Sequence, residues 1–440
     1  MLTCEAKKGE EVSPQAIGAQ LYALAARLYP ICRSITGEGT RETLRVLQEH
    51  VPLTMHEVPS GTPVFDWTVP PEWNVRDACV LNSRGRRVID FRRSNLHLLG
   101  YSVPVHRTVS REELLQHLYT LPEHPDRIPY RTSYYSENWG FCVPHSLLTE
   151  LTEPEYRVRI DTRLAPGHLT YGELLIPGAT DEEVLLSCHV CHPSLANDNL
   201  SGIAIAAKLA EHLRRRELRY SYRFLFIPGT IGSITWLARN RERVDRIRHG
   251  LVLACLGDGG RSTYKKSRRG DAEIDRAVAH VLRHRGDHEL LEFTPYGYDE
   301  RQFCSPGFDL PVGLLMRTPH GRFPEYHTSA DNLELIRPWA LADSFAKCLD
   351  VIAVLEGNRR YVNLNPCCEP QLGRRGLYRK IGAPGAGAID EMALLWVLSL
   401  SDRRHSLLEI AERAGLPFSQ IRGAADALLD CELLSEARED

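Results

Sequence analysis

The sequence predicts an α/β fold in which a mainly parallel sheet flanked by helices is interrupted by an inserted, mostly β domain and followed by a C-terminal winged-helix domain. Three observations support this prediction. Strand-like and helix-like patterns alternate after residue 172, as in repeated β-α-β units. Residues 63–168 instead combine Pro, Trp and Tyr with short alternating runs, which favours strands. Three short helical segments follow a Gly/Pro-rich link near the end of the chain.

The length of the chain sets the expected number of domains. A chain of 440 residues with 43% hydrophobic residues exceeds what one core usually serves, so two or three domains are expected. We place a discontinuous α/β domain at residues 1–62 and 169–362 and the inserted β domain at 63–168. The winged helix is placed at 385–440, after a linker at 365–384.

Charge and cysteine usage exclude several classes of protein. The 54 Lys and Arg nearly balance the 57 Asp and Glu, so the formal charge of -3 gives no field that attracts nucleic acid or an anionic membrane surface. The first residues lack an apolar signal core and no apolar run approaches a membrane span, so we expect a cytoplasmic protein without a membrane partner. Twelve scattered cysteines, with a single CxxC at Cys188 and Cys191, do not resemble a disulfide framework.

The individual elements follow from the hydrophobic spacing. Two helices are predicted at 15–28 and 40–50, separated by the polar, turn-rich segment Cys32–Gly37. Within the inserted domain, short apolar runs at 78–81 and 87–90 predict strands. In the α/β region the strands are predicted at 183–189, 222–228, 250–257 and 311–316, and the helices at 202–213, 233–240, 272–285 and 338–355.

The C-terminal segments resemble a helix-turn-helix. The three helices are predicted at 391–400, 406–414 and 419–430. The third of these would be the recognition helix, and Arg422 is its only cation. We therefore expect docking or dimerisation of copies rather than DNA binding, and the oligomeric state is left open.

Polar side chains follow the ends of the predicted strands, where catalytic groups cluster in open parallel sheets. These are His189, Cys191, His192 and Asn197–Asn199 after the first strand, Asp258 after the third, and Pro324–Asn332, which contains His327, after a later one. Imidazole nitrogen and carboxylate oxygen are donors that Zn²⁺ accepts. Helix capping could explain Asn197–Asn199, but it does not predict histidines and aspartates at successive strand ends. The combination predicts a metal site.

These residues resemble the signature of two-zinc aminopeptidases, in which a first His is followed by a segment like Asn197-Asp-Asn-Leu-Ser-Gly202. Over nearly the whole chain the sequence is similar to bacterial aminopeptidase-like proteins linked to polysaccharide or secondary-metabolite genes. The similarity lies in segments 28–37, 130–135, 139–142, 264–270, 299–303 and 324–329. The resemblance therefore implies a zinc aminopeptidase-like α/β domain with an inserted β domain and a terminal winged helix.

The resemblance also implies a set of ligands for one or two zinc ions. His189 and Asp258 would bind one metal, Asp198 would bridge, and His327 would bind the other. His192 has no counterpart in the family's pattern.

The chain departs from that family at two positions. Cys191 occupies the position of an Asp that orients the first His in the aminopeptidases. Gly229 lies where a strand should present acidic residues, namely a ligand and a general base. The departure at Gly229 puts the second zinc and the activation of water in doubt.

Other residues in the matched segments are candidates for catalysis and substrate binding. Glu300 and Glu325 are predicted catalytic residues that could supply a base or a ligand, although a surface salt bridge would explain them equally well. Arg301 and Arg317 could hold a substrate carboxylate through paired hydrogen bonds, and an exposed face is the alternative. Tyr134 could cover the site, with core packing as its alternative.

The leading hypothesis is a zinc-dependent hydrolase that cleaves an amide or peptide bond in a small molecule, a short peptide or a small biosynthetic conjugate. A second hypothesis is a catalytically degenerate binding protein on the same scaffold, suggested by Gly229. A third is a ligand-sensing regulator whose winged helix binds DNA. Metal analysis tests the first hypothesis, and salt-dependent DNA binding tests the third.

Overall fold

A computed structural model describes residues 13–377 and 390–437 of the chain. By internal packing the chain divides into two compact units. One comprises residues 13–272 and 289–345 of the described chain, and the other comprises residues 273–288, 346–377 and 390–437.

The strands and helices are named here in chain order. The strands are β1 Thr54–Pro59, β2 Pro63–Val64, β3 Trp67–Thr68, β4 Glu72–Leu81, β5 Arg87–Asp90, β6 Val105–Ser110, β7 Leu118–Tyr119, β8 Phe141–Cys142, β9 Glu155–Ala165, β10 His168–Ile176, β11 Glu183–His189, β12 Ser221–Ile227, β13 Ile247–Leu253, β14 Ser262–Lys265, β15 His288–Leu291, β16 Val312–Met316, β17 Arg360–Asn363, β18 Asp402–Ser406 and β19 Leu434–Glu436. The α-helices are α1 Pro14–Leu28, α2 Glu38–Gln48, α3 Arg111–Gln116, α4 Gly202–Leu213, α5 Ile231–Arg239, α6 Glu273–His284, α7 Glu300–Phe303, α8 Pro338–Gly357, α9 Glu391–Leu400, α10 Leu407–Ala414 and α11 Phe418–Asp430.

The large sheet has eight strands in the order β1-β10-β12-β11-β13-β16-β14-β15. Its centre is parallel, because β11 pairs in parallel with β12 and β13, and β13 pairs in parallel with β16. Every residue of β11 and β12 is buried, as expected for parallel strands covered on both faces. The predicted α/β class is confirmed, and β11, β12, β13 and β16 bring their carboxyl ends to one edge of the sheet.

The helices between the central strands follow from their small, apolar sequences. Helix α4 connects β11 to β12, packs on both strands and buries nearly every residue, because its alanines allow close approach to the sheet. Helix α5 follows β12 and begins at Ile231, next to a turn at Gly229 and Thr230. Thr230 has a positive φ of 63°, which is unusual for a β-branched residue.

An antiparallel sheet lies within residues 63–168. Its strands have the order β5-β4-β9-β6, and all three of its pairings are antiparallel. Along β9 buried and exposed residues alternate, so one face packs on a core and the other faces solvent. A strand-rich segment is therefore inserted between β1 and β10, which themselves pair in the large sheet.

The C-terminal region forms a three-helix domain with a small sheet. Strand β17 pairs with both β18 and β19, and α9, α10 and α11 pack on one another. A capping box between Ser406 and Glu409 starts α10, and Gly415 ends it in the left-handed conformation. Since β17 begins at Arg360, this domain includes a strand that the sequence-based boundary at residue 385 leaves outside.

Two sequence predictions concern regions that the structure describes only in part. The predicted linker at 365–384 contains a single short 3₁₀ turn at Gly373–Arg375 within its described residues. The Gly/Pro-rich link at 382–388 lies outside the described residues. No helix among residues 13–377 and 390–437 is long and apolar enough to cross a membrane.

Candidate metal centre

Three histidines surround one buried carboxylate at the carboxyl end of β11. His189 is the last residue of β11, and its Nε2 lies 2.7 Å from Oδ1 of Asp198. His192 Nδ1 lies 3.4 Å from the same oxygen, and His327 Nε2 lies 3.1 Å from Oδ2. The Asp198 side chain is 0% exposed. The sequence predictions for His189, Asp198 and His327 thus concern residues that the fold brings together.

Electrostatics keep the Asp198 carboxylate charged. Burial alone would raise its pKa, but the charge of His192 and the hydrogen bond from His189 outweigh burial and hold the pKa well below its usual range. Burial lowers the pKa of His327, and Asp198 opposes that shift. Zinc binds an anionic carboxylate and neutral imidazoles, so it would replace the protons that the histidines share with Asp198.

The donor set fits a zinc ion. Zinc ligands lie about 2.0–2.3 Å from the metal in a tetrahedron, so neighbouring donors are about 3.3–3.7 Å apart. His189, His192 and Asp198 offer ligand atoms that all lie within 4.8 Å of one another. His192 Nδ1 lies 3.4 Å from Asp198 Oδ1, which is a tetrahedral spacing, and the shorter contact of His189 with the same oxygen needs only a small opening. Zinc would therefore be held by His189, His192 and Asp198. His192 is not among the ligands that the resemblance to aminopeptidases implies.

A second carboxylate holds the loop that carries Asp198. The side chain of Asp331 accepts hydrogen bonds from the backbone N–H groups of Asn197, at 2.6 Å, and Asp198, at 3.0 Å. Burial raises the pKa of Asp331 to about 8, and those hydrogen bonds oppose the shift. Asn199 donates to the backbone oxygen of Leu253 at 2.9 Å, which ties the loop to β13. The position of Asp198 is thus fixed from two sides.

Aromatic rings form the wall of the centre. Tyr298 stacks on His189 with ring centroids 4.6 Å apart, and Tyr326 stacks on His327 at 3.9 Å. Tyr130 meets His192 and His327 edge-on at 5.1 and 5.2 Å. These ring contacts fix the orientation of the imidazoles.

Asp258, a predicted ligand, makes a different set of contacts. Its Oδ1 accepts hydrogen bonds from Gly260 N at 2.7 Å and Thr318 Oγ1 at 2.6 Å. Its Oδ2 accepts hydrogen bonds from Asn197 Nδ2 at 2.9 Å and Thr318 N at 3.2 Å. These contacts make Asp258 a brace for the Asp198 loop, and its role as a ligand stays a prediction.

Gly229 leaves an open position beside the first histidine. A β-carbon built there would lie 3.4 Å from Cys191 Sγ and 3.5 Å from His189 Cβ, which is ordinary van der Waals contact. Asp299 supports this turn, since its Oδ1 accepts hydrogen bonds from Thr230 N at 2.6 Å and Ser233 Oγ at 2.9 Å. Its Oδ2 is buried and has no hydrogen-bond partner in the part of the chain that the structure describes. A carboxylate therefore lies near His189 although residue 229 has no side chain.

The two predicted catalytic glutamates differ in environment. Glu300 is 0% exposed, and its Oε1 forms an ion pair of 2.6 Å with Lys265 Nζ. Burial raises the pKa of Glu300, and Lys265 opposes the shift. Glu325 is half-buried, close in sequence to His327. The catalytic roles of both glutamates stay predictions, and solvent access favours Glu325.

The predicted substrate-binding residues also differ. Arg317 forms an ion pair of 2.7 Å with Asp343, so its charge is already neutralised. Arg301 is half-buried, and its Nε has no hydrogen-bond partner among residues 13–377 and 390–437. The hydroxyl of Tyr134 lies 3.2 Å from that of Tyr130, whose ring contacts two of the histidines. Of these three residues, Tyr134 has the contacts that lead to the metal centre, while all three substrate-binding roles stay predictions.

Two family models together match most of the chain. A family model described as Domain of unknown function (DUF4910) matches residues 22–358, and a winged helix-turn-helix model matches residues 359–436. The chain is 53% identical over 418 residues to a protein of Clostridium acetobutylicum, covering 95% of this chain and 96% of the relative. The name of that relative refers to polysaccharide biosynthesis and an aminopeptidase-like domain.

Solved structures show the same scaffold. A crystal structure named as that of a peptidase from Clostridium acetobutylicum has a TM-score of 0.92 and 51% identity, covering 96% of this chain and 97% of that chain. A zinc aminopeptidase of Bacillus subtilis has a TM-score of 0.56 and 12% identity, covering 79% and 96%. A family M28 peptidase precursor of Shewanella amazonensis has a TM-score of 0.54 and 14% identity, covering 78% and 96%. The last two likenesses concern the fold alone.

Proposed function

The chain belongs to the family described as Domain of unknown function (DUF4910), and from this premise and its aminopeptidase-like fold we propose that it is a zinc-dependent hydrolase of amide or peptide bonds. The observation that carries the proposal is the convergence of His189, His192 and His327 on the buried carboxylate of Asp198. Its substrate would be a small molecule, a short peptide or a small biosynthetic conjugate. The name of the Clostridium relative supports a biosynthetic role.

The chemistry needs an activated water and a proton carrier. When bound, zinc would supply a Lewis acid that lowers the pKa of water and polarises the scissile carbonyl. His189, His192 and Asp198 would hold it, because their ligand atoms lie within 4.8 Å of one another. His327 would bond to the second oxygen of Asp198, and Asp331 would keep Asp198 in place. Glu325 would accept the proton of the attacking water and return it to the leaving amine, because it is the more exposed of the two predicted glutamates.

Metal content and turnover test the proposal. We expect zinc in protein that was purified without chelators and then dialysed, and slow hydrolysis of aminoacyl anilides or small N-acyl conjugates. His189→Ala should lose both zinc and turnover. His249→Gln is a matched control, because His249 is also buried but pairs with Tyr220 away from Asp198. Wild-type protein that takes up no zinc even when zinc is supplied would refute the proposal.

A binding protein on the same scaffold is the second candidate, favoured by Gly229. In that case the wild type would bind zinc but would cleave neither aminoacyl anilides nor small N-acyl conjugates. Gly229→Glu would not restore cleavage if the proton carrier were absent as well.

A further inference from the structure

Two segments that carry the family resemblance meet around Arg33. Cys32–Gly37 contributes Arg33 and Ser34, and segment 130–135 contributes Tyr130 and Tyr134. The side-chain oxygen of Tyr134 is hydrogen-bonded to Ser34 and lies 3.2 Å from that of Tyr130. These four residues are called the Arg33 cluster below. The proposed hydrolysis assigns no role to Arg33, Ser34 or Tyr130.

Arg33 is a buried cation with one free donor. The residue is 2% exposed. Its Nε donates to the backbone oxygen of His192 at 2.8 Å, and its Nη1 donates to that of Leu28 at 2.6 Å. Its Nη2 is buried and has no hydrogen-bond partner among the described residues. A guanidinium offers five N–H groups, so this side chain retains binding capacity.

No carboxylate compensates the charge of Arg33. Within residues 13–377 and 390–437 it forms no ion pair, and the one carboxylate that acts on it, the exposed Glu42, does so only at longer range. Burial lowers the pKa of Arg33 to about 10. Other buried arginines differ, because Arg223 binds Glu183 at 2.6 Å and Arg317 binds Asp343 at 2.7 Å. An unpaired buried charge is costly, so a ligand that neutralises it would bind favourably.

The rest of the cluster consists of groups that can donate hydrogen bonds. Tyr130 and Tyr134 contribute phenol hydroxyls that lie 3.2 Å apart, and a phenol carries its proton at neutral pH. Ser34 adds a third hydroxyl. A cation and three hydroxyls without a carboxylate form a site that is complementary to an oxyanion.

The Arg33 cluster contacts two histidines of the candidate metal centre. Arg33 binds the backbone oxygen of His192, and the ring of Tyr130 contacts both His192 and His327. Tyr134 is half-buried whereas Arg33, Ser34 and Tyr130 are buried, so a ligand would enter past Tyr134.

We propose that the Arg33 cluster binds an oxyanion of the substrate, a carboxylate or a phosphate, and therefore that the substrate is anionic. This inference rests on the proposed hydrolase function for its meaning, but the binding site itself can be tested without turnover. It differs from the sequence-based assignment of substrate binding to Arg301 and Arg317, because Arg317 is already paired and Arg33 is not.

Anion binding to the full chain tests the proposal. Inorganic phosphate and acetate would be titrated separately into protein freed of metal by chelation, with potassium chloride at equal ionic strength as control. Thermal unfolding and calorimetry would be followed. We expect saturable binding of at least one oxyanion, and the preferred one identifies the substrate group as phosphate or carboxylate.

Variants assign the binding to the cluster. Arg33→Lys removes the planar fork and should weaken binding of the preferred oxyanion at least about tenfold. Tyr134→Phe removes one hydroxyl from a half-buried residue and should weaken binding about fivefold to tenfold without loss of folding. Arg223→Lys is the matched control, because Arg223 is a buried arginine that is already paired with Glu183, and it should leave anion affinity unchanged. If Arg33→Lys does not fold, Tyr134→Phe decides the question.

Two results would overturn the proposal. One is the absence of saturable phosphate and acetate binding in the wild type, both with and without zinc. The other is binding that is unaffected in Tyr134→Phe and in a folded Arg33→Lys, which would place the anion elsewhere. Zinc content and amide cleavage, measured on the same samples, report separately on the hydrolase proposal, so each idea can fail alone.

Discussion

Two neighbouring strands of the large sheet end at the same edge with different chemistry. Strand β11 ends in His189, which together with His192 surrounds Asp198 with metal donors. Strand β12, paired with it in parallel so that His189 lies opposite Ile227, continues into Gly229 and Thr230 and brings no acidic side chain. In the proposed hydrolase, metal binding and proton transfer would therefore be separable, because the first would depend on the end of β11 and the second would need a group from elsewhere.

The end of β12 is nevertheless well defined. Asp299 fixes Thr230 and Ser233 through one oxygen, and its other oxygen is buried without a partner near His189. The loss of a side chain at residue 229 has thus not left the turn unsupported. The turn at the end of β12 is therefore held in place by Asp299 although residue 229 itself offers no side chain.

The largest effect is expected at the β11 side of this comparison. Asp198→Asn keeps the shape of the side chain but removes the charge shared by three histidines, so zinc affinity should fall more than about 100-fold, beyond the range known for outer-shell partners. Competition with a chromogenic chelator measures it. Asp299→Asn is the matched control at the β12 side and should retain zinc within about tenfold. An equal loss of zinc affinity in Asp198→Asn and Asp299→Asn would show that the ends of β11 and β12 do not differ in metal binding.

We expect Glu325 to contribute to catalysis and Glu300 to contribute to stability. Glu325→Gln should lower turnover about 10² to 10⁴-fold, since general acid–base assistance has that value, while zinc content stays normal. Glu300→Gln leaves Lys265 buried without its partner and should lower the free energy of unfolding by about 3 kcal/mol. Turnover and denaturant unfolding of both variants measure these effects. Full turnover in Glu325→Gln would show that the proton carrier is another group.

A carboxylate at residue 229 should partly restore the missing chemistry. The open space beside Gly229 accepts a β-carbon at ordinary contact distance, and Gly229→Glu should raise zinc affinity or turnover about tenfold, equivalent to about 1.4 kcal/mol. Gly229→Ala adds the β-carbon alone and should change neither quantity. An increase of the same size in Gly229→Ala would indicate an effect of backbone rigidity instead of the carboxylate.

The sequence was sufficient for the fold because its elements are strongly patterned. The buried run of β11 and the alanine-rich α4 were predicted at their observed bounds, 183–189 and 202–213. In the C-terminal domain the start of α9 and the capping box of α10 are local signals, whereas β17 is short and pairs with strands far along the chain. Long-range pairing of that kind leaves no local pattern, so the domain boundary could not be read from composition.

The candidate site was predictable only where a motif existed. His189 and Asp198 belong to a recognisable segment, and His192 follows the same strand end, where the sequence predicts a metal site. The contacts that His192 and Asp331 make with Asp198 depend on the folded chain, since Asp331 lies far along the sequence. Arg33 carried no such signal, since its significance comes from the absence of a partner, which only the structure reveals.

The smallest effect is expected at the winged helix. Its predicted recognition helix, α11, has Arg422 as its one cation, and that side chain is bound to Asp426 at 2.8 Å and to the backbone oxygen of Gly357 at 3.0 Å. DNA affinity depends on releasing counterions with free cations, so the full chain should show no submicromolar, salt-sensitive DNA binding. Arg422 is already bound within its own domain and is therefore not a free cation for phosphate. Arg422→Ala should change weak DNA binding less than about twofold. Fluorescence anisotropy with random duplex DNA at two salt concentrations measures this. Tight DNA binding that Arg422→Ala abolishes would support the hypothesis of a regulator whose winged helix binds DNA. Absence of tight DNA binding is the outcome expected if this domain serves docking or self-association.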